Sequence, residues 1–281
     1  MVTAYFVYKG NRCLRRTKTK KEVDVFCMFE DERLNRLIYL YTPLFAKDFP
    51  IILFWIPKSG CTTLNRWFFF QNGLLEDVGR RCAGEVHHYR NTIYTQQPDY
   101  VKDLLAELKE GKKDTYKLVR NPFRRAVSSF LAAICSPNFI CLFNSDMNTG
   151  LSFTQFLHYL KDLGPEISAI DRHLGPQYLE GEEEFVTNYI YLEQFSAQIR
   201  EIENKYKLLK SPISQLSKSP HHLSDTMLKK GKFADTVFTM SSFDWVLPTF
   251  ESFYNDETKE LVQEIFAKDF EVYGFDPKHI K

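Results

Sequence analysis

Residues 51 to 56 read IILFWI, apolar on both alternating faces, and this pattern suits a strand buried on both sides within a parallel sheet. Pro57 ends the run. The next residues, PKSGCTT, form a loop, and Thr62 or Thr63 is placed to cap a helix whose apolar positions Leu64, Trp67 and Phe68, with Gln71, recur at helical spacing. The same order returns downstream: Tyr116 to Val119 form a short strand, Arg120 closes it, Asn121 is an N-cap and Pro122 takes the first helical position. Ala126, Val127, Phe130 and Leu131 continue that helix. Two strand–loop–helix units in one chain imply an α/β fold with a central, mostly parallel sheet flanked by helices. In such sheets ligands bind at the carboxyl ends of the strands, where both loops would lie.

The remaining pattern agrees. Residues 99 to 111, DYVKDLLAELKEG, supply a cap at Asp99, one apolar face (Val101, Leu104, Leu105, Leu108) and a stop at Gly111. Further helices are expected at Phe153 to Lys161 after Ser152, at Glu193 to Tyr206, and at Glu257 to Phe270 behind Asp256. Short strands are expected at Asn188 to Leu192 and Thr236 to Phe238. No repeat, low-complexity tract or Gly/Ser linker divides the chain, so it reads as one domain, with residues 1–50 as an extension and 51–281 as the core. A chain of 281 residues buries a sizeable core, and most of its 25 Phe and 15 Tyr are expected there.

Net charge is +1, which gives no support to a nucleic-acid partner; attraction for anions must come from local clusters. One such cluster, Arg12, Arg15, Arg16, Lys18, Lys20 and Lys21, reads as a solvated basic arm or hairpin. The six cysteines contain no C-x-x-C pair, against a zinc site or a disulfide framework, although Cys135 and Cys141 are near enough in sequence to be bridged in an oxidising compartment. The N-terminus, MVTAYFVYKG, has no apolar run for a signal peptide or membrane span. A cytoplasmic protein is expected, with a trimmed luminal domain as the alternative.

The first loop suits an anion. Backbone N–H groups from Ser59 to Thr63 face the space before the helix, whose dipole adds positive potential. Lys58 adds a charge, Gly60 permits close approach, and Thr62 and Thr63 add hydroxyls. This is not a Walker A loop, because Lys58 precedes the loop's only glycine and no acidic residue ends a nearby strand to hold magnesium. In the second loop Arg120 offers a planar fork for phosphate, and Ser128, eight residues on, offers a hydroxyl. Two anion sites on one sheet imply a ligand with two separated anionic groups.

Together these residues resemble the sulfotransferase family: PKSGCTT at 57–63 is similar to its 5′-phosphosulfate loop and LVRNPFRRAVSSF at 118–130 to its 3′-phosphate motif. The resemblance implies a P-loop-like three-layer fold. It also implies the donor 3′-phosphoadenosine 5′-phosphosulfate (PAPS), held by Lys58, Ser59, Gly60, Cys61, Thr62, Thr63, Arg120 and Ser128, with 3′-phosphoadenosine 5′-phosphate (PAP) as product and no metal. The P-K-x-x-C-T and R-x-P-F-x-R-x-x-S forms resemble the Golgi-type carbohydrate enzymes, which implies a glycan or glycoconjugate acceptor. DRHLGPQ at 171–177 and FAKDFEVYGF at 266–275 resemble further stretches of those enzymes. Leu64 departs from the pattern, since relatives often carry an aromatic beside the adenine there.

Sulfuryl transfer needs a base for the acceptor hydroxyl and positive charge at the leaving phosphate. Lys58 and the loop amides fit the second role. For the first, GEVHHYRNT at 84–92 resembles more distantly the V-x-H segment of uronyl and heparan 2-O-sulfotransferases, and aligning the valines selects His88. His173, with Asp171 near it, is the next candidate; His221 and His222, beside Lys218 and Ser219, lie in a polar loop that could close over a nucleotide. Cys61 has no base beside it and reads as packing. Two alternatives stay open: a nucleotide-dependent phosphotransferase, and a non-catalytic module that binds nucleotide or sulfated glycan.

Overall fold

The computed structural model describes residues 4–8, 13–17, 32–143, 145–218, 223–242 and 246–280. In chain order the longer elements are β1 (Ala4–Tyr8), β2 (Cys13–Thr17), α1 (Glu32–Leu40), β3 (Ile51–Phe54), α2 (Cys61–Gln71), α3 (Leu75–Cys82), α4 (Tyr100–Glu110), β4 (Asp114–Val119), α5 (Pro122–Ile134), α6 (Phe153–Leu163), β5 (Asn188–Tyr191), α7 (Phe195–Lys205), β6 (Met227–Lys229), β7 (Leu247–Pro248), α8 (Asp256–Ile265) and α9 (Ala267–Tyr273). They fall into two compact units. One holds residues 31–120 and 179–221; the other holds 1–30, 121–178 and 222–281. No helix among the described residues is long and apolar enough to cross a membrane.

The first unit carries the parallel sheet, in the order β3-β4-β5. Ile51 pairs with Asp114 and Phe54 with Lys117; Tyr116 pairs with Asn188 and Val119 with Tyr191. Ile51 to Leu53 have no exposed surface, as the two-sided apolar run requires. The strand leaves the ladder at Phe54, two residues before Ile56, although Trp55 and Ile56 stay buried. On the other flank of β3, Leu44 and Leu53 exchange backbone bonds of 2.9 and 3.0 Å. The central strand β4 carries Lys117 fully buried against an equally buried Glu182, whose carboxylate also takes the Leu179 amide at 2.9 Å.

Helix α2 lies in the core through Leu64, Trp67, Phe68 and Phe69, all without exposed surface. Its far end is tied to α7: the Trp67 indole N–H donates to Glu203 Oε1 at 3.0 Å and Gln71 Nε2 to the Leu209 carbonyl at 2.8 Å. Glu203 also accepts from the Ser211 amide, the Ser211 hydroxyl and Arg200. Edge-to-face contacts among Phe49, Phe68, Phe69, Tyr89, Tyr94 and Tyr100 fill the space beside α2, so many of the aromatic side chains go into core.

In the second unit Asn121 caps α5, accepting from the amides of Phe123 and Arg124, with Pro122 at the first position. Ser152 and Gln155 form a capping box on α6. Phe130, Phe153, Phe156, Phe238 and Phe253 form the core. Hairpin β1–β2 pairs antiparallel from Ala4↔Thr17 to Tyr8↔Cys13, which puts Arg15 and Arg16 on a strand. Arg12, Lys18, Lys20 and Lys21 of the basic cluster lie outside the described residues.

Several boundaries differ from the sequence reading. Thr236 to Phe238 form no strand; Phe238 makes one isolated bridge, to Leu151. The C-terminal helix is capped by Asn255 rather than Asp256, because the amide side chain reaches the Thr258 N–H while Thr258 bonds back. It also breaks at Phe266, giving α8 and α9. The α7 segment opens with a 3-10 turn, Leu192–Gln194, and Asp99 stands left-handed before α4 without a side-chain cap bond. Cys135 and Cys141 are not joined in a disulfide.

Burial works against ionisation of Glu203, but hydrogen bonds from Ser211, Trp67 and Arg200 outweigh it and hold the carboxyl below its usual range. Its stabilising contribution is therefore present above the unfolded value of about 4.3 and is lost as pH falls through the folded value. Glu203→Ala, which removes the acceptor of five hydrogen bonds, is expected to lower the free energy of urea unfolding at neutral pH by about 3 kcal/mol. Glu203→Gln is expected to flatten part of the acid limb of the same measurement.

Candidate functional site

The path from β3 to α2 takes six residues, and their dihedrals explain its shape. Lys58 and Gly60 are both left-handed, at φ 69° and 92°. A left-handed lysine costs on the order of 1–2 kcal/mol, a strain of the kind kept at binding loops. Arg120, at the end of β4, donates through Nη1 to the Lys58 carbonyl at 3.0 Å and braces that conformation. A Cβ at Gly60 would be strained by the left-handed backbone and would collide with Leu192 Cδ1 unless that side chain moved. Gly60 itself is the N-cap of α2, so Thr62 and Thr63 belong to the first turn and neither caps it.

The amides of the loop divide into two groups. Ser59 N–H turns back to the Ile56 carbonyl at 3.4 Å, and Thr63 N–H to the Gly60 carbonyl at 3.1 Å. Ser59 is fully buried and its hydroxyl also bonds Ile56, at 2.6 Å. These two residues shape the loop from within. The amides of Gly60, Cys61 and Thr62 meet no backbone carbonyl among the described residues, which leaves three adjacent donors at the N-terminus of an eleven-residue helix. Half-buried Lys58 flanks them.

Among the described residues the histidine that faces this cradle is His87. Its Nε2 lies 2.9 Å from Thr62 Oγ1 and 3.9 Å from Cys61 Sγ, and its Nδ1 lies 3.2 Å from Arg90 Nη1. His88, the residue selected by valine spacing, is exposed, and its carbonyl takes the Thr92 hydroxyl. The reason is helical periodicity. Val86, Tyr89 and Arg90 form the buried stripe of the turn; His87 shares the side of Arg90 at i, i+3, and His88 points away. The apolar spacing within VHHYR carries that signal, whereas alignment on a single valine does not.

No sequence pattern singles out Arg90. The residue is only 4% exposed, and its guanidinium lies 3.7 Å over the face of Trp55. It donates through Nε and Nη2 to Asn91 Oδ1 at 3.1 and 3.0 Å, and through Nη1 to Asn65 Oδ1 at 3.3 Å. Burial pushes its pKa down to about 10, so it stays charged at neutral pH. Burial likewise raises the Cys61 thiol, outweighing the fields of Arg90 and Lys58, so a thiolate nucleophile is not available there.

The other sequence candidates fall elsewhere. Ser128 is half-buried on α5, in the second unit. Leu64 is wholly within the core and offers no face to a ligand. In the second unit His173 pairs through Nδ1 with Asp171 at 2.8 Å. Its segment is held by buried groups: Arg125 donates to the carbonyls of Arg172 and Gly175, Ser129 to that of His173, and Asp269 of α9 takes the amides of Gln177 and Tyr178. The two outlying motifs, DRHLGPQ and FAKDFEVYGF, are thus joined through Asp269. Ser219, His221 and His222 lie outside the described residues; the Lys218 carbonyl accepts from Arg66 of α2. Among the described residues no cluster of three or more His, Cys, Asp or Glu could hold a metal ion.

A family model described as the sulfotransferase family matches residues 42–276. The chain belongs to the sulfotransferase family. No curated protein and no solved structure matches it. In this sulfotransferase the matched span includes the cradle at the start of α2, Arg120, the His87 turn and α9.

Gly60→Ala is expected to destabilise the sulfotransferase by about 1–2 kcal/mol through its left-handed backbone, with a further penalty if Leu192 cannot move. Thermal unfolding checks this, and Gly73→Ala, also left-handed but with open space around it, separates dihedral strain from collision.

Proposed function

We propose that this sulfotransferase takes its sulfuryl group from PAPS and transfers it to a hydroxyl of a carbohydrate or glycoconjugate, in the manner of the Golgi-type carbohydrate enzymes. The observation that carries the reading is the cradle: three adjacent amides without a carbonyl partner at the start of α2, with Lys58 beside them and Arg120 bonded to the loop. When bound, PAPS supplies an activated sulfuryl group whose leaving group is a phosphate oxygen. The residues present fit such an anion. The amides of Gly60, Cys61 and Thr62 would donate to it, and the helix dipole and Lys58 would favour its negative charge.

Ser59 and Thr63 support the cradle by shaping it. Arg120 and Ser128 are assigned to the ribose 3′-phosphate on the strength of the motif at 118–130. The carbohydrate acceptor is supported by the P-K-x-x-C-T and R-x-P-F-x-R-x-x-S forms and by the DRHLGPQ stretch; any position on the sugar is compatible with them.

Calorimetric titration of PAP in EDTA tests the donor site. Wild type is expected to bind, and Lys58→Ala and Arg120→Ala are each expected to bind about 10–100-fold more weakly, the loss of one charge-assisted contact. Well-folded wild type that does not bind would overturn the donor assignment. Screening of sugar acceptors with labelled PAPS then tests the second substrate.

A further inference from the structure

The histidine at the cradle has a definite hydrogen-bonding sense, and it follows from the chemistry of its neighbours. A guanidinium has donors and no acceptor. Arg90 Nη1 at 3.2 Å from His87 Nδ1 therefore donates, and Nδ1 must present a lone pair. In the neutral ring the proton is then on Nε2, which lies 2.9 Å from Thr62 Oγ1 and donates to it. The Thr62 hydroxyl accepts that bond and keeps its own proton, with no acceptor for it among the described residues.

Each neighbour leaves the same answer. Asn65 Nδ2 donates to the Cys61 carbonyl at 2.6 Å, which turns Oδ1 toward Arg90 and makes that contact an acceptance. Asn91 Oδ1 takes Nε and Nη2. Trp55, under the guanidinium, is itself fixed by its indole N–H to the Thr42 carbonyl at 3.0 Å. Arg90 cannot swing away without losing four hydrogen bonds and the ring face. Among the described residues no carboxylate pairs with it, so a buried positive charge stands behind the cradle without a counter-ion.

We propose that Arg90 is the positioning residue of this site: it fixes His87 in the Nε2–H tautomer, and through His87 it turns the Thr62 hydroxyl proton toward the cradle. His87 serves as a hydrogen-bond donor there, and its Nε2 is not available to take a proton from an acceptor hydroxyl while Arg90 holds Nδ1. The tautomer follows from the geometry alone. Its use for an anionic ligand rests on the donor-site reading above.

The test is a nitrogen-15 spectrum of the imidazole rings in ligand-free protein at a pH where His87 is neutral, with His87→Gln to assign its signals. It needs no donor or acceptor, so its outcome is separate from that of the PAP titration. Wild type is expected to show a pyridine-like Nδ1 and a proton-bearing Nε2, with a coupling across the Arg90 Nη1–H to Nδ1 bond. Folded Arg90→Met is expected to release the ring into a mixture of tautomers. A proton-bearing Nδ1 in wild type, or an unchanged ring in folded Arg90→Met, would overturn the proposal. Should Arg90→Met fail to fold, the wild-type spectrum decides alone. For the functional half, His87→Gln, whose amide still donates, should keep PAP affinity within about threefold, while His87→Phe should lose about tenfold, the worth of one hydrogen bond. Equal loss in the two would overturn the donor role.

Discussion

A strand buried on both faces must pass into a helix that is also buried, and it has six residues in which to do so. The ladder ends at Phe54, Lys58 and Gly60 turn left-handed, and the helix begins at Cys61. Nearly everything specific to this sulfotransferase follows from that constraint. Because Ile51 to Leu53 and Leu64, Trp67, Phe68 and Phe69 are locked in the core, the strain of the turn cannot relax into either element. Arg120 holds the turn from the end of β4, and Glu203 holds the far side of α2 through Trp67. The loop and the helix that follows it are thus held from two sides.

The electrostatics of the site have the same fixed character. Arg90, Lys58 and the start of α2 add positive potential in one place, and the nearest ionisable groups do not oppose it. The Cys61 thiol is kept protonated, and the Tyr100 hydroxyl is pushed well above its usual range by burial. A buried guanidinium held only by neutral acceptors is costly. On the donor-site reading proposed above, a bound anion would offset that cost.

The parts legible in the sequence were those governed by short-range rules. Two-sided hydrophobicity gave β3, Asn121 and Pro122 gave the start of α5, and Gly111 gave the end of α4. The cradle could be located because its backbone chemistry is tied to a strand–loop–helix order. What escaped depended on direction. His87 and His88 are adjacent, and only the phase of a single helical turn decides between them. Arg90, Asn65 and Trp55 come from three separate segments, and nothing in one segment announces the other two. The break at Phe266 and the isolated bridge at Phe238 likewise depend on packing that no local pattern encodes.

The segment from Asp171 to Tyr178 has neither helical nor strand pairing over most of its length, yet three of its carbonyls and two of its amides are bonded to Arg125, Ser129 and Asp269, all nearly or fully buried. Ordinary surface loops gain and lose residues freely because their backbone groups are satisfied by water. This one is registered against side chains at fixed heights along α5 and α9, so one inserted residue would put every later amide out of step with Asp269. Variation among relatives in this stretch should therefore be written in letters and not in spacing: substitutions at its outward positions, at constant length between Asp171 and Gln177.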